Sequence, residues 1–301
     1  MHVSKRSAAL AAAAAGAVVA VTALPALGTA QAKAAHLSTP HLTVTADKSG
    51  TFDLKGPRHF SAGRVDLTLH AKKGEQEIAI MRLHSGYTLD NLKSDFGTFG
   101  QSQDAPSPDG IAALNNIVKH TTFYGGLDSG AGHTTVNGSV VLPKAGTYYL
   151  LNDENGPGAD QAIKLHVSPR AGSRTAPSVD AKVTATNAKR FGGAVNLPAK
   201  GTIEFTNKAT NSPHFLFLMH VKKGTTRKVM VKALQSPPGQ PGGPNIFRDG
   251  SVGTDVLFMG HSQTLTYDLP AGTYAEVCFF PDLKTGMPHA LMGMVRMVHL
   301  K

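Results

Sequence analysis

The stretch VVLPKAGTYYLLND at 140–153 returns at 266–279 as TYDLPAGTYAEVCF, and each copy is followed by a short closing run, AIKLHV in the first case and VRMVHL in the second. Upstream, EIAIMRLHSGYT matches FLFLMHVKKGTT, and LTVTADKSG matches AKVTATNAK, in the same order. Matches that keep their order along the chain point to one supersecondary unit built twice. The repeated runs are short, rich in Val, Ile, Thr, Tyr and Phe, and bounded by Gly, Pro, Asn and Asp, which is the pattern of strands rather than helices. Regular spacing of such runs reads as an all-β sandwich or barrel. One segment, DGIAALNNIVKH at 109–120, reads as a short helix within a connection. The Pro-, Ser- and Arg-rich SPRAGSRTAPS near 168–178 separates the copies. The expected organisation is therefore a domain at 36–168, a linker at 169–179 and a domain at 180–301, each of ordinary domain size.

The first 35 residues have the build of a secretory signal: Lys5 and Arg6, an Ala- and Val-rich run, then small residues that suit cleavage after Ala32 or Ala35. Pro25, Gly28 and the polar residues from Thr29 end the apolar run too early for a membrane span. The mature chain is expected to be secreted, without a membrane span. Its formal charge falls from +10 to +8 when Lys5 and Arg6 leave, which favours acidic partners or anionic cell surfaces. Basic and aromatic residues are not interleaved and Trp is absent, so nucleic acid is not an expected partner.

With one cysteine in the chain, no intramolecular disulfide is available to explain Cys278. A lone cysteine often serves as a small buried hydrophobe, and in an exported protein it can also pair with a second copy. The surroundings of Cys278 add a third reading. His289 and Met294 follow it in CFFPDLKTGMPHALMGM, and His214 lies upstream in FTNKATNSPHFLFL. Thiolate is a soft ligand, imidazole a borderline one and thioether a weak soft one; two His, one Cys and a weak axial Met make the trigonal site that copper uses for electron transfer.

These segments resemble the cupredoxins, the blue copper proteins. A strand ending in Asn, a short loop and Pro-His, as in FTNKATNSPH at 205–214, is how that family presents its first histidine. The family's GTYxxxC strand is matched by Gly272, Thr273, Tyr274 and Cys278. HALMGMVRMVHL reproduces the plastocyanin-like passage from the second histidine through Gly-Met into a strand, and GMPHALMGM is similar to the type 1 copper loop of copper nitrite reductases. The resemblance implies two tandem Greek-key β-sandwiches and one type 1 copper per chain, held in the second sandwich by His214, Cys278, His289 and Met294. Met292, at His-x-x-Met spacing, is the rival axial ligand. The chain departs from the family in the ten residues between Cys278 and His289, a longer gap than small cupredoxins have.

Under the repeat, Cys278 corresponds to Asn152 and His214 to about Gln76, and the counterpart of His289 falls in NGPGADQ, which has no histidine. The first copy is expected to hold no type 1 copper. The signatures His-x-His and His-Cys-His of the multicopper enzymes are absent from the sequence, so an electron carrier with an unidentified redox partner is expected rather than an oxidase or nitrite reductase. Copper storage or delivery and a metal-free binding or cell-surface module are the alternative readings.

Overall fold

The computed structural model describes residues 38–47, 51–101, 106–130, 132, 134–152, 161–173, 175–235 and 245–301. The signal segment lies outside them. Among the described residues no helix is long and apolar enough to cross a membrane.

The first half contributes β1 (His41–Ala46), β2 (Phe52–Lys55), β3 (His59–Ala71), β4 (Glu77–Leu83), α1 (Leu89–Gly100), α2 (Pro108–His120), β5 (Thr121–Asp128), β6 (Thr135–Leu142), β7 (Gly146–Leu151) and β8 (Ile163–Ala171). The second contributes β9 (Ala181–Thr186), β10 (Arg190–Gly193), β11 (Asn196–Leu197), β12 (Lys200–Asn207), β13 (Phe217–Val221), α3 (Arg227–Leu234), β14 (Val252–Thr254), β15 (Ser262–Asp268), β16 (Gly272–Val277) and β17 (Val295–Leu300). The structure is all-β in the sense the sequence implied, two β-sandwiches in tandem. In each half the chain crosses repeatedly between sheets, so that hairpin pairs alternate with pairs of strands distant in sequence, such as β3 with β6 and β12 with β15, as in Greek-key connection.

Strand pairing confirms the duplication pair by pair. The parallel pair β1 and β3 has its counterpart in β9 and β12; β3 with β6 is repeated by β12 with β15; β4 with β7 by β13 with β16; β7 with β8 by β16 with β17. Smaller features repeat as well. Tyr148 and Tyr274, from the two GTY segments, each donate a hydroxyl hydrogen bond to a carbonyl four residues back, Lys144 at 2.8 Å and Pro270 at 2.9 Å. Both are tyrosine corners, which fix where a buried strand enters the sandwich. Thr88 and Thr226, the last residues of the matched EIAIMRLHSGYT and FLFLMHVKKGTT, are the N-caps of α1 and α3.

The halves share both sheets. In one sheet β6 pairs with β15, giving the order β2-β1-β3-β6-β15-β12-β9-β10; in the other β5 pairs with β14, giving β8-β7-β4-β5-β14-β13-β16-β17-β11. The first seam demands a glycine. A Cβ on Gly138 would come within 2.3 Å of the Thr264 carbonyl oxygen, closer than any side chain is accommodated. At the outer edge of the second sheet, β8 runs to Ala171, and the amide of Gly172 donates to the carbonyl of Ala62 at 2.6 Å.

Strands of the first sheet alternate, as β1 and β9 do, because one face meets the core and the other is partly exposed. β4 and β16 are buried on both faces. Their outer residues are covered by helices: Ala79 and Met81 pack with Leu92 of α1 and Ile117 of α2, and Ala275 and Val277 pack with Met230 and Ala233 of α3. The helix expected at 109–120 is α2; α1 and α3 are additions that the sequence reading did not contain.

Candidate metal centre

The site is assembled from the ends of two strands and the loop after one of them. β12 stops at Asn207, whose buried side chain organises the turn beyond it. Its Oδ1 accepts from the amide of Ala209 at 3.0 Å, and its Nδ2 donates to the carbonyls of Ser212 at 3.0 Å and Leu257 at 2.9 Å. The next residue with chemistry, His214, exchanges backbone hydrogen bonds with the same Leu257, at 3.2 and 2.8 Å. An Asn at the strand end is thus the device that fixes the first histidine.

Cys278 follows β16 directly, and the ten-residue gap to His289 closes on itself. The amide of Ala290 donates to the carbonyl of Cys278 at 2.7 Å, that of His289 to Phe280 at 3.0 Å, and that of Asp282 to Met287 at 2.9 Å. The extra residues therefore form a small hairpin that returns His289 beside the thiol. Asp282 stiffens it: its Oδ1 accepts from the amides of Lys284 at 3.1 Å and Thr285 at 3.0 Å, and its Oδ2 meets Lys189 Nζ at 2.9 Å. Burial pushes this carboxyl up, but Lys189, Thr285 and the two amides outweigh burial and hold it at about 2. The sequence reading missed Asp282 and Lys189; an Asp opening a turn with Thr and Gly after it is the signal that was there to use.

His214, Cys278 and His289 come together with no exposed surface. Cys278 Sγ lies 3.7 Å from His214 Nδ1 and 3.8 Å from His289 Nδ1, and the two Nδ1 atoms are 3.1 Å apart. The point equidistant from three atoms so spaced lies about 2.1 Å from each, within a tenth of an ångström or so of metal–imidazole and a little short of metal–thiolate bond lengths. Among the described residues this is the one group of three or more His, Cys, Asp or Glu side chains placed to hold a metal.

Protonation of the two histidines suits the same purpose. Burial, with the charge of Lys189 adding to it, lowers His214 to about 4, and burial with the neighbouring His214 lowers His289 to about 3. Both imidazoles are neutral at pH 7 and keep a lone pair for a ligand. Burial pushes the Cys278 thiol up to about 12 although the amides of Phe215 and Phe280 work the other way. Nε2 of both histidines is buried without a hydrogen-bond partner, so the rings are held by packing and by what their Nδ1 atoms face.

The two methionines separate cleanly. Met294 is fully buried in the cluster that contains Cys278, and its amide donates to the carbonyl of His289 at 2.9 Å; Met292 is 42 % exposed. The remaining histidines of the second half lie outside the group: His220 stacks on Tyr274 with centroids 4.5 Å apart, and His261 packs on Tyr124 at 4.8 Å.

In the fold and in the His-Cys-His group, the chain is cupredoxin-like. No protein-family model and no curated protein matches it. Among solved structures, auracyanin B aligns at 20 % identity over 42 % of this chain and 93 % of its own length, with a TM-score of 0.26. Dithionite-reduced auracyanin from the photosynthetic bacterium Roseiflexus castenholzii aligns at 20 % identity over 40 % of this chain and 94 % of its own, with a TM-score of 0.26. The Cu-containing nitrite reductase of Thermus scotoductus aligns at 11 % identity over 88 % of this chain and 61 % of its own, with a TM-score of 0.23. Alignments this loose carry nothing about activity, which has to be argued from the site.

Proposed function

We propose that this is a secreted electron carrier with a single type 1 copper, ligated by His214, Cys278 and His289 with Met294 as the axial donor. The observation that carries the reading is the triangle of Sγ and two Nδ1 atoms, sized for one ion and closed to solvent. A copper ion bound there supplies one-electron exchange between Cu(I) and Cu(II). The chain's own contribution is to hold a soft thiolate, two neutral imidazoles and a buried thioether in a dry cavity, so that neither oxidation state rearranges its surroundings. Met294 is preferred over Met292 because a donor has to face the buried centre, and Met292 is largely turned to solvent.

One feature favours a carrier over a copper enzyme: the sequence has neither His-x-His nor His-Cys-His, the signatures of the multicopper enzymes. The excess of Lys and Arg suits an acidic redox partner. Export rests on the signal-like residues 1–35, and amino-terminal sequencing of the protein recovered from culture medium, beginning at Lys33 or His36, tests it.

Voltammetry of the copper-loaded protein separates a carrier from a store. A carrier gives one reversible one-electron wave and retains its copper over repeated cycles. Loss of copper on reduction would favour storage or delivery.

A further inference from the structure

The hairpin that carries His289 touches the half of the molecule that lacks the donors. Its base is closed by the bonds from His289 to Phe280 and from Asp282 to Met287, and its tip, residues 283–286, lies against the start of α2. Asn115 Nδ2 donates to the carbonyl of Leu283 at 2.7 Å. Gly286 approaches so closely that a Cβ there would sit 2.6 Å from Pro106 Cβ and 3.4 Å from Ile111 Cγ1. The backbone at Gly286 also has φ +69°, a conformation that disfavours a side chain. One polar contact and one steric contact, made by different residues, hold the same four-residue tip.

Such support matters because no named strand or helix lies between Cys278 and His289 to hold the second histidine in place. Lys189 grips it from its own half through Asp282, at one strand of the hairpin. The tip has Asn115, Pro106 and Ile111. An unsupported loop gains backbone entropy on becoming free, and a metal site tolerates only about half an ångström of ligand displacement.

We infer that α2 is a brace for the ligand loop, with Asn115 as a positioning residue: the copy of the sandwich without donors fixes His289 in the copy that has them. Release of a metal from the site then requires the tip to part from α2. The part of this inference that concerns copper rests on the function proposed above; the mechanical part does not.

The test uses the full-length protein. Asn115 is exposed on a helix, and Ala favours helix, so Asn115→Ala should fold; Pro106→Gly, which deletes the steric contact, is the second variant. Two rates are measured: hydrogen exchange of the Gly286 and His289 amides in the metal-free protein, and removal of copper from the loaded protein by a chelator in excess. Asn115→Ala should raise both by about five- to tenfold, the equivalent of one hydrogen bond. Lys119→Ala, on an exposed α2 position away from the tip, should change neither. Unchanged exchange in both brace variants would overturn the inference, and so would faster exchange with unchanged copper removal. Faster exchange in a protein that never takes up copper would keep the brace and remove the proposed function.

Discussion

Gln76 and Asn152 meet through a 3.3 Å hydrogen bond, Asn152 Nδ2 to Gln76 Oε1, at the two positions where the second half places His214 and Cys278. Asn152 follows β7 directly, as Cys278 follows β16. Both amides are buried, and Gln76 is tied further, through Nε2 to the carbonyl of Lys73 at 3.2 Å and through its backbone to Ser129. The corresponding site in the first half is filled by a neutral polar pair that satisfies itself. Full-length protein should therefore bind one copper, and Cys278→Ser should bind none tightly. The double variant Gln76→His with Asn152→Cys should gain no second type 1 site, because no histidine occurs between residues 153 and 162 to complete it. Metal analysis of the three proteins decides; a second tightly held copper in any of them would contradict the reading.

The axial assignment predicts opposite behaviour for neighbouring methionines. Met294→Leu should keep the copper and raise its reduction potential, since a weak donor that favours Cu(II) is lost. Met292→Leu should leave the potential where it was, its side chain being 42 % exposed. Voltammetry of the two variants side by side checks this, and an effect confined to Met292→Leu would reverse the assignment.

Shared sheets predict shared unfolding. With β6 on β15 and β5 on β14, separating the halves would leave an unpaired edge in each sheet. Calorimetry of the whole chain should show one transition, and saturating copper should move all of it, by about 4 kcal/mol when free metal is a thousand times its dissociation constant. Gly138→Ala, at the seam, should destabilise by about 1–3 kcal/mol through overpacking against Thr264. Two transitions, of which copper moves only one, would count against a single cooperative unit.

The buried histidines set a pH dependence for the metal-free protein. Their pKa values fall from 6.5 to about 4 for His214 and about 3 for His289 on folding. Between 6.5 and those values the unfolded chain takes up protons that the native chain refuses, so stability is fully present above 6.5 and drains away as the pH falls towards 4. Glu276, pushed up to about 7 by burial and pulled back by Arg296, works in the opposite direction over part of that range, so the comparison has to be by difference. His289→Gln should flatten the stability curve between pH 6.5 and 4.5 relative to the parent, as measured by urea unfolding. Equal slopes would mean that His289 takes up its proton at the same pH in the native and unfolded states.

Much of this was legible from the repeat. GTY marked both tyrosine corners, and the matched segments ended on the two residues, Thr88 and Thr226, that cap equivalent helices. The helices themselves were not legible. α1 contains Gly97 and Gly100, and α3 has only eight residues, including β-branched Val229 and Val231; each exists because it covers the outer face of a doubly buried strand, which is a tertiary fact. The four donors stood out because their chemical types are rare together. What the spacing alone left open was how ten residues could return His289 to Cys278, and the answer lies in Asp282, whose hydrogen bonds turn those residues into a hairpin.

In the proposed function, Cys278, His214 and His289 bind one copper as a type 1 centre. The most direct measurement is the absorption and paramagnetic-resonance spectrum of the mature protein titrated with Cu(II). An intense visible thiolate-to-copper charge-transfer band should saturate at one equivalent and be abolished in Cys278→Ser. A spectrum without that band, unchanged by the substitution at Cys278, would contradict the proposed function and leave a cupredoxin-like fold without the chemistry.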